Sequence, residues 1–210
     1  MTLTFRESDH KYFLNGEELP SVSKIKEPLT DFSMVAPDVM RRAQNFGKAV
    51  HKMAELYLLE QLDFSTLDEG LFGPLAAFEL WLKECRPFQS GPAVIDIKSR
   101  LFDRVTDPLQ LAAYYAMWKE NRDELGADPI IEKPLASIRY RFAGTPDIII
   151  PPRDGAEDFT NHRVLYLGRD GRYQYTPCYD RNAWPVFGHL LGDYQRAITT
   201  AQILKSWRNR

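Results

Sequence analysis

The stretch "VIDIKS", residues 94–99, carries an aspartate and a lysine two positions apart in an otherwise apolar run. Successive strand side chains point to opposite faces, so Val94, Asp96 and Lys98 share one face, and Ala93, Ile95 and Ile97 the other. Along a strand the two charged residues stand about 6–7 Å apart. An edge strand with one solvated face also accounts for this pattern. A second acid stands in "RYRFAGTPDIII", residues 139–150, where Gly144, Thr145 and Pro146 deliver Asp147 directly before three isoleucines. Glycine permits a bend or a close approach. An acid touching a buried strand is costly unless it is paired or binds a metal. A turn aspartate beside proline is the plainer alternative. In "FGKAVHKMAELY", residues 46–57, His51 and Glu55 are four apart and share a helix face. Val50, Ala54, Tyr57 and Leu58 form the neighbouring apolar stripe, beside which a structural histidine and a solvated glutamate are also at home.

Together, two aspartates, a histidine and a strand lysine suit one chemistry. Magnesium takes hard oxygen ligands and keeps several waters. Two carboxylates can hold it against a phosphate, where the metal neutralises charge and activates water. A lysine beside that water can orient it, or accept its proton if burial lowers the lysine pKa. The set fits phosphodiester hydrolysis better than a mechanism built on a nucleophilic side chain.

These residues need elements to position them. Residues 2–6 and 11–14 read as a short hairpin with "NGEE" as turn chemistry. "LPSVSKI" leads into a short helix. Asp38 is placed to cap a long helix over about 38–61. Gly47 inside it marks a kink or a close approach of another backbone. A second helix is expected over about 74–85, the "VIDIKS" strand over 93–98, and a helix from Asp107 with Pro108 in its first turn. Two β-rich runs follow, about 129–140 and 142–151. A hairpin with "RDGR" at its tip comes next, then an amphipathic helix over about 183–207. The expectation is one α/β domain over 1–210. It comprises an N-terminal hairpin and loop (1–36), a helical part (37–86), a sheet core (92–180) and a C-terminal helix (183–207).

The chain has 210 residues, 44% apolar and 27% charged, which suits an ordinary globular protein with a sizeable core. No run approaches the roughly 18 apolar residues of a membrane span. "MTLTFRESDHKY" lacks the basic and apolar regions of a secretion signal. Cys85 and Cys178 have no metal-ligand spacing and suit free thiols in a reducing cytoplasm, with one disulfide as the alternative. Two cysteines cannot supply the thiolates of an ordinary iron–sulfur cluster. The net charge of -2 argues against polyanion binding through bulk charge but permits a local basic groove. Lys24, Lys26, Arg41, Arg42, Lys48, Lys52, Arg139, Arg141 and residues 205–210 are the contributors to weigh, with scattered solvated charge as the default. Phe142, Tyr173, Tyr175 and Trp184 can stack bases, with core packing as their default.

"HKYFLNGEELPSVSKI", "FGKAVH", "EKPLASIRYRFAGTPD", "VIDIKS" and "QLAAY" together resemble the PD-(D/E)XK nuclease superfamily. The likeness is to its phage-type and RecB-like exonuclease branch, which includes the mitochondrial genome maintenance exonuclease. It spans most of the chain. It implies a restriction-endonuclease-like core, a mixed central sheet flanked by helices. It implies a Mg²⁺- or Mn²⁺-dependent deoxyribonuclease, an exonuclease acting on DNA ends or single strands, in the cytoplasm of a bacterium or a phage-infected host. By that resemblance Asp147, Asp96, the Ile97 carbonyl and His51 are metal ligands. Lys98 positions or activates the water. Gln110 and Tyr114 steady the site or contact DNA, and Glu132 and, more weakly, Glu55 support the metal shell. Arg139, Arg141, Lys48 and Lys52 contact substrate. One departure is plain: the family order is "GTPD", then "D-x-K", then "Q-x-x-x-Y", whereas here the last two precede "GTPD". Moving about 92–125 to follow "PDIIIPPRDGA", residues 146–156, restores it, so a transposed segment and a permuted strand order are expected. Chain order does not determine active-site geometry. A non-catalytic nucleic-acid-binding or assembly module on the same fold is the alternative function. A sequence-specific endonuclease ranks below both, because no separate reading head is visible.

Overall fold

The computed structural model describes residues 2–100, 103–153 and 158–208, with side chains described as far as residue 202. Its centre is a five-stranded mixed sheet between helices. The strands are β4 (Ala93–Lys98), β5 (Ile130–Ile131), β8 (Ile148–Ile150), β9 (His162–Leu167) and β10 (Tyr173–Pro177). Their order is β10-β9-β4-β8-β5. β4 runs antiparallel to β8 and parallel to β9. Early in the chain, it therefore lies between strands that come later.

Helices cover both faces. Val94, Ile130, Ile149 and Val164 pack with α1 (Val22–Lys26), α4 (Thr106–Leu125) and α5 (Ala183–Arg208). Ile95, Ile97, Ile148, Ile150 and Leu165 pack with α2 (Pro37–Leu58) and α3 (Phe72–Cys85), including the fully buried Phe78 and Trp81. Each such apolar side chain contributes about 1.5–3 kcal/mol on burial. This arrangement removes the edge-strand reading of "VIDIKS". β4 has a partner on each edge and a helical layer on each face, and Asp96 is 0% exposed.

Local chemistry sets several boundaries differently from expectation. Helix α2 begins at Pro37, with Ala36 before it making no side-chain cap. Asp38 lies in the first turn, where it favours the helix dipole, and pairs with Arg42 at 2.7 Å. The helix runs through Gly47, where an added Cβ would stand 3.5 Å from Ser99 Oγ, an ordinary contact with a side chain and not the close backbone approach expected. The β-rich runs break into β5, β6 (Leu135–Ser137), β7 (Phe142–Gly144) and β8. Pro134 and Pro146 cannot donate to a ladder, and Glu132 and Arg141 take positive φ. The N-terminal strands β1 (Leu3–Arg6) and β2 (Lys11–Leu14) gain a third, β3 (Glu17–Leu19). Asn15 and Gly16, with φ of 50° and 85°, turn β2 into β3, while residues 7–9 join β1 to β2.

Gly73 supplies a stability test. A Cβ there would fall 2.0 Å from the Arg169 carbonyl oxygen in the β9–β10 turn. Gly73→Ala is expected to cost about 1–3 kcal/mol, the usual range for overpacking. The urea midpoint measures this, and an unchanged midpoint would show that the turn yields freely. Among the described residues, no helix is long and apolar enough to cross a membrane.

Candidate metal centre

Three neighbouring strands bring acids to one end of the sheet. The registers pair Ile95 with Ile148 across β4–β8, and Ile131 with Ile148 across β5–β8. One residue further on each ladder come Asp96, Asp147 and Glu132. The Glu132 N–H donates to the Asp147 carbonyl at 3.0 Å, which extends that ladder by one rung. His51 arrives from α2, its Nδ1 3.1 Å from Asp147 Oδ1 and 3.4 Å from Glu132 Oε1. The potential ligand atoms of His51, Glu132 and Asp147 all lie within 4.8 Å of one another.

Asp147 is the hub. Its Oδ2 accepts from the Ile97 N–H at 2.5 Å while Oδ1 faces His51. The Ile97 main chain thus meets the centre through its amide. Asp96 stands alongside, its Oδ1 accepting from Gln110 Nε2 at 2.9 Å. Lys98 Nζ is 2.8 Å from Asp96 Oδ2, an ion pair almost wholly out of solvent. Gln110 Nε2 also donates to the Tyr114 hydroxyl at 2.9 Å. Both residues are buried on α4, so Tyr114 sits behind Asp96.

Crowding sets the protonation states. Burial lifts the Asp96 carboxyl to about 6 against the opposing pull of Lys98. Burial, then the Asp147 charge, lifts Glu132 to about 7. Burial disfavours the His51 cation, yet Asp147 and Glu132 more than reverse this and raise it to about 10. Burial likewise disfavours the Lys98 ammonium, but Asp96, Asp147 and Asp107 outweigh it and raise its pKa. Lys98 is therefore held as a cation here. Asp147 is held below the usual carboxylate range, the penalty of burial being overcome by His51, Lys98 and the Ile97 amide.

The remaining predicted residues lie further out. Lys48 and Lys52 are exposed on α2, one turn before and one residue after His51. Glu55 pairs with Lys52 at 2.8 Å. Arg139 and Arg141 flank the β6–β7 turn, where Arg141 pairs with Glu17 and the Arg139 guanidinium lies 5.2 Å from the Tyr140 ring. Lys24 pairs with Glu27, and the side chains of 205–210 lie outside the described residues. Phe142 is buried, Trp184 packs against Phe187 and Tyr140, and Tyr175 packs against Trp81. Tyr173 donates to Glu84 at 2.6 Å.

Two residues carry more than their sequence context suggested. Glu132 is a full member of the His51–Asp147 cluster. Its signal was present: an apolar strand ending in an acid, "IIE", as in "VID". Lys26, placed among surface cations by sequence, is 6% exposed and donates to the Gln110 side chain. No local pattern announces this. No protein-family model, curated protein or solved structure matches the chain.

Proposed function

We propose that the chain is a Mg²⁺- or Mn²⁺-dependent nuclease with a restriction-endonuclease-like core, hydrolysing DNA phosphodiester bonds at ends or in single strands. The observation that carries this reading is the convergence of Asp147 and Glu132 from adjacent strands on His51, with Asp96 on the next strand and Lys98 beside it. The donor set suits a hard divalent cation. Two buried carboxyls lifted toward neutrality are what a centre short of positive charge presents. Asp147, His51 and Glu132 would hold the ion, with Asp96 adjoining. When bound, it would neutralise phosphate charge and acidify a water.

The chain's own residues supply the rest. Asp147 is kept ionised and aimed by the Ile97 amide. Lys98, a cation, orients the attacking water through its N–H donors and opposes charge gathering on the phosphate. Gln110 holds Asp96 by Oδ1, leaving Oδ2 toward Lys98. Lys48 and Lys52 offer exposed cations for flanking phosphates.

End-labelled single- and double-stranded DNA, with Mg²⁺, Mn²⁺ or EDTA, tests the reading. Cleavage that requires metal and stops with EDTA is expected. A folded protein that binds DNA in a salt-dependent, chelator-insensitive way without cutting overturns it in favour of a binding module.

A further inference from the structure

We propose that Lys26 is a positioning residue that sets the orientation of the Gln110 amide and thereby presents Asp96 correctly to a divalent cation. This rests on the metal-centre reading and concerns a side chain outside the centre itself.

The two ends of a carboxamide have nearly the same shape but opposite hydrogen-bonding sense. Packing alone therefore does not decide which end of Gln110 faces Asp96. Lys26 does. Its Nζ donates to Gln110 Oε1, and to the Thr106 carbonyl at 3.3 Å. With Oε1 engaged by an ammonium, Nε2 turns its two protons to Asp96 Oδ1 and the Tyr114 hydroxyl, each at 2.9 Å. Every polar atom of the Gln110 side chain is then matched. A flipped amide would set NH₂ against the ammonium and oxygen against the Asp96 carboxylate, an opposed contact at both ends.

A lysine 6% exposed is a costly choice for a position between α1 and α4, where an unbranched apolar side chain of equal length could pack. The cost is compensated only if its donors are used, and they are used on one amide and one carbonyl. Asp96 and Asp107 lie near enough to favour the charge, and Lys98 and Arg100 to oppose it. The chain Lys26–Gln110–Asp96 thus reaches from α1 through α4 to β4.

Lys26→Met, Gln110→Leu and the double variant form a cycle read by Mn²⁺ affinity, with melting curves confirming folding. Removing an outer partner of a metal ligand typically costs about 10–100-fold in affinity. A weakening of at least about tenfold is expected for each single variant, with the double no weaker than Gln110→Leu alone. Independent, multiplicative losses would mean that Lys26 acts otherwise, and overturn the proposal. Nitrogen-15 spectra of the Gln110 side-chain NH₂ provide a second arm without metal. In the unaltered protein its protons exchange slowly; in Lys26→Met they exchange fast, and in Lys26→Arg, which keeps a charged donor, slow exchange returns. Fast exchange in the unaltered protein overturns the proposal even if no variant folds. If the unaltered protein fails to bind Mn²⁺, the nuclease reading falls, while the NH₂ spectra still decide whether Lys26 orients the amide.

Discussion

Asp147→Asn is expected to abolish metal-dependent cleavage while leaving the fold in place. The amide is nearly isosteric, and its oxygen can still accept from the Ile97 N–H that now meets Oδ2. What disappears is the charge at the middle of the Asp96–Asp147–Glu132 row. A bound metal supplies several kcal/mol of transition-state stabilisation. At about 1.36 kcal/mol per tenfold, its loss means at least about a thousandfold in rate. Asp193→Asn, in an exposed ion pair with Arg196 on α5, is the matched control. A second signature requires no metal. Asp147 leads the interactions that raise His51 to about 10, so the imidazole should titrate much closer to its ordinary 6.5 in the variant. Single-turnover cleavage and histidine NMR measure the two effects. Undiminished cleavage in a folded variant would remove Asp147 from the chemistry.

The second large effect couples pH to metal. His51 has a folded pKa of about 10 against an ordinary 6.5. Its stabilising contribution is therefore complete below 6.5 and is lost as pH rises through 10. Glu132, raised to about 7, acts in the same direction, because the folded state keeps a proton that the unfolded chain has released. Two groups bound the useful window. Burial pulls His162 down to about 4, so it adds stability as pH rises toward 6.5. Burial and the Lys98 charge pull Lys26 down to about 8, and above that its contribution also rises with pH. Between about pH 6.5 and 8 the metal-free protein should lose about 2 kcal/mol, since one proton retained per unit of pH is worth about 1.4 kcal/mol. A divalent cation must displace the His51 proton, so its stabilisation should grow over the same interval. Thermal midpoints at pH 6.5 and 8, with EDTA and with Mn²⁺, measure this. A metal-induced shift that is equal at both pH values would show that His51 is not a ligand.

Much of this centre was written locally. The period of a strand places Asp96 and Lys98 on one face whatever surrounds it, and the period of a helix places Gln110 beneath Tyr114. "GTPD" stops a ladder with proline and leaves an acid at the strand end, and "NGEE" makes a turn. These are interactions within a few residues, so composition and spacing determine them. The position of β4 is different. Its six residues suit an edge or a centre, and only its pairing with β8 on one side and β9 on the other makes Asp96 a buried charge. Glu132 joins His51 across 81 positions, and Lys26 meets Gln110 across 84. The proton affinities follow from the same packing: His51 and Lys98 are cations because carboxylates from other elements surround them. Spacing along the chain determined which side chains stand together on one element. Tertiary packing decided which elements meet, and through desolvation and neighbouring charge, what state their acids and bases hold.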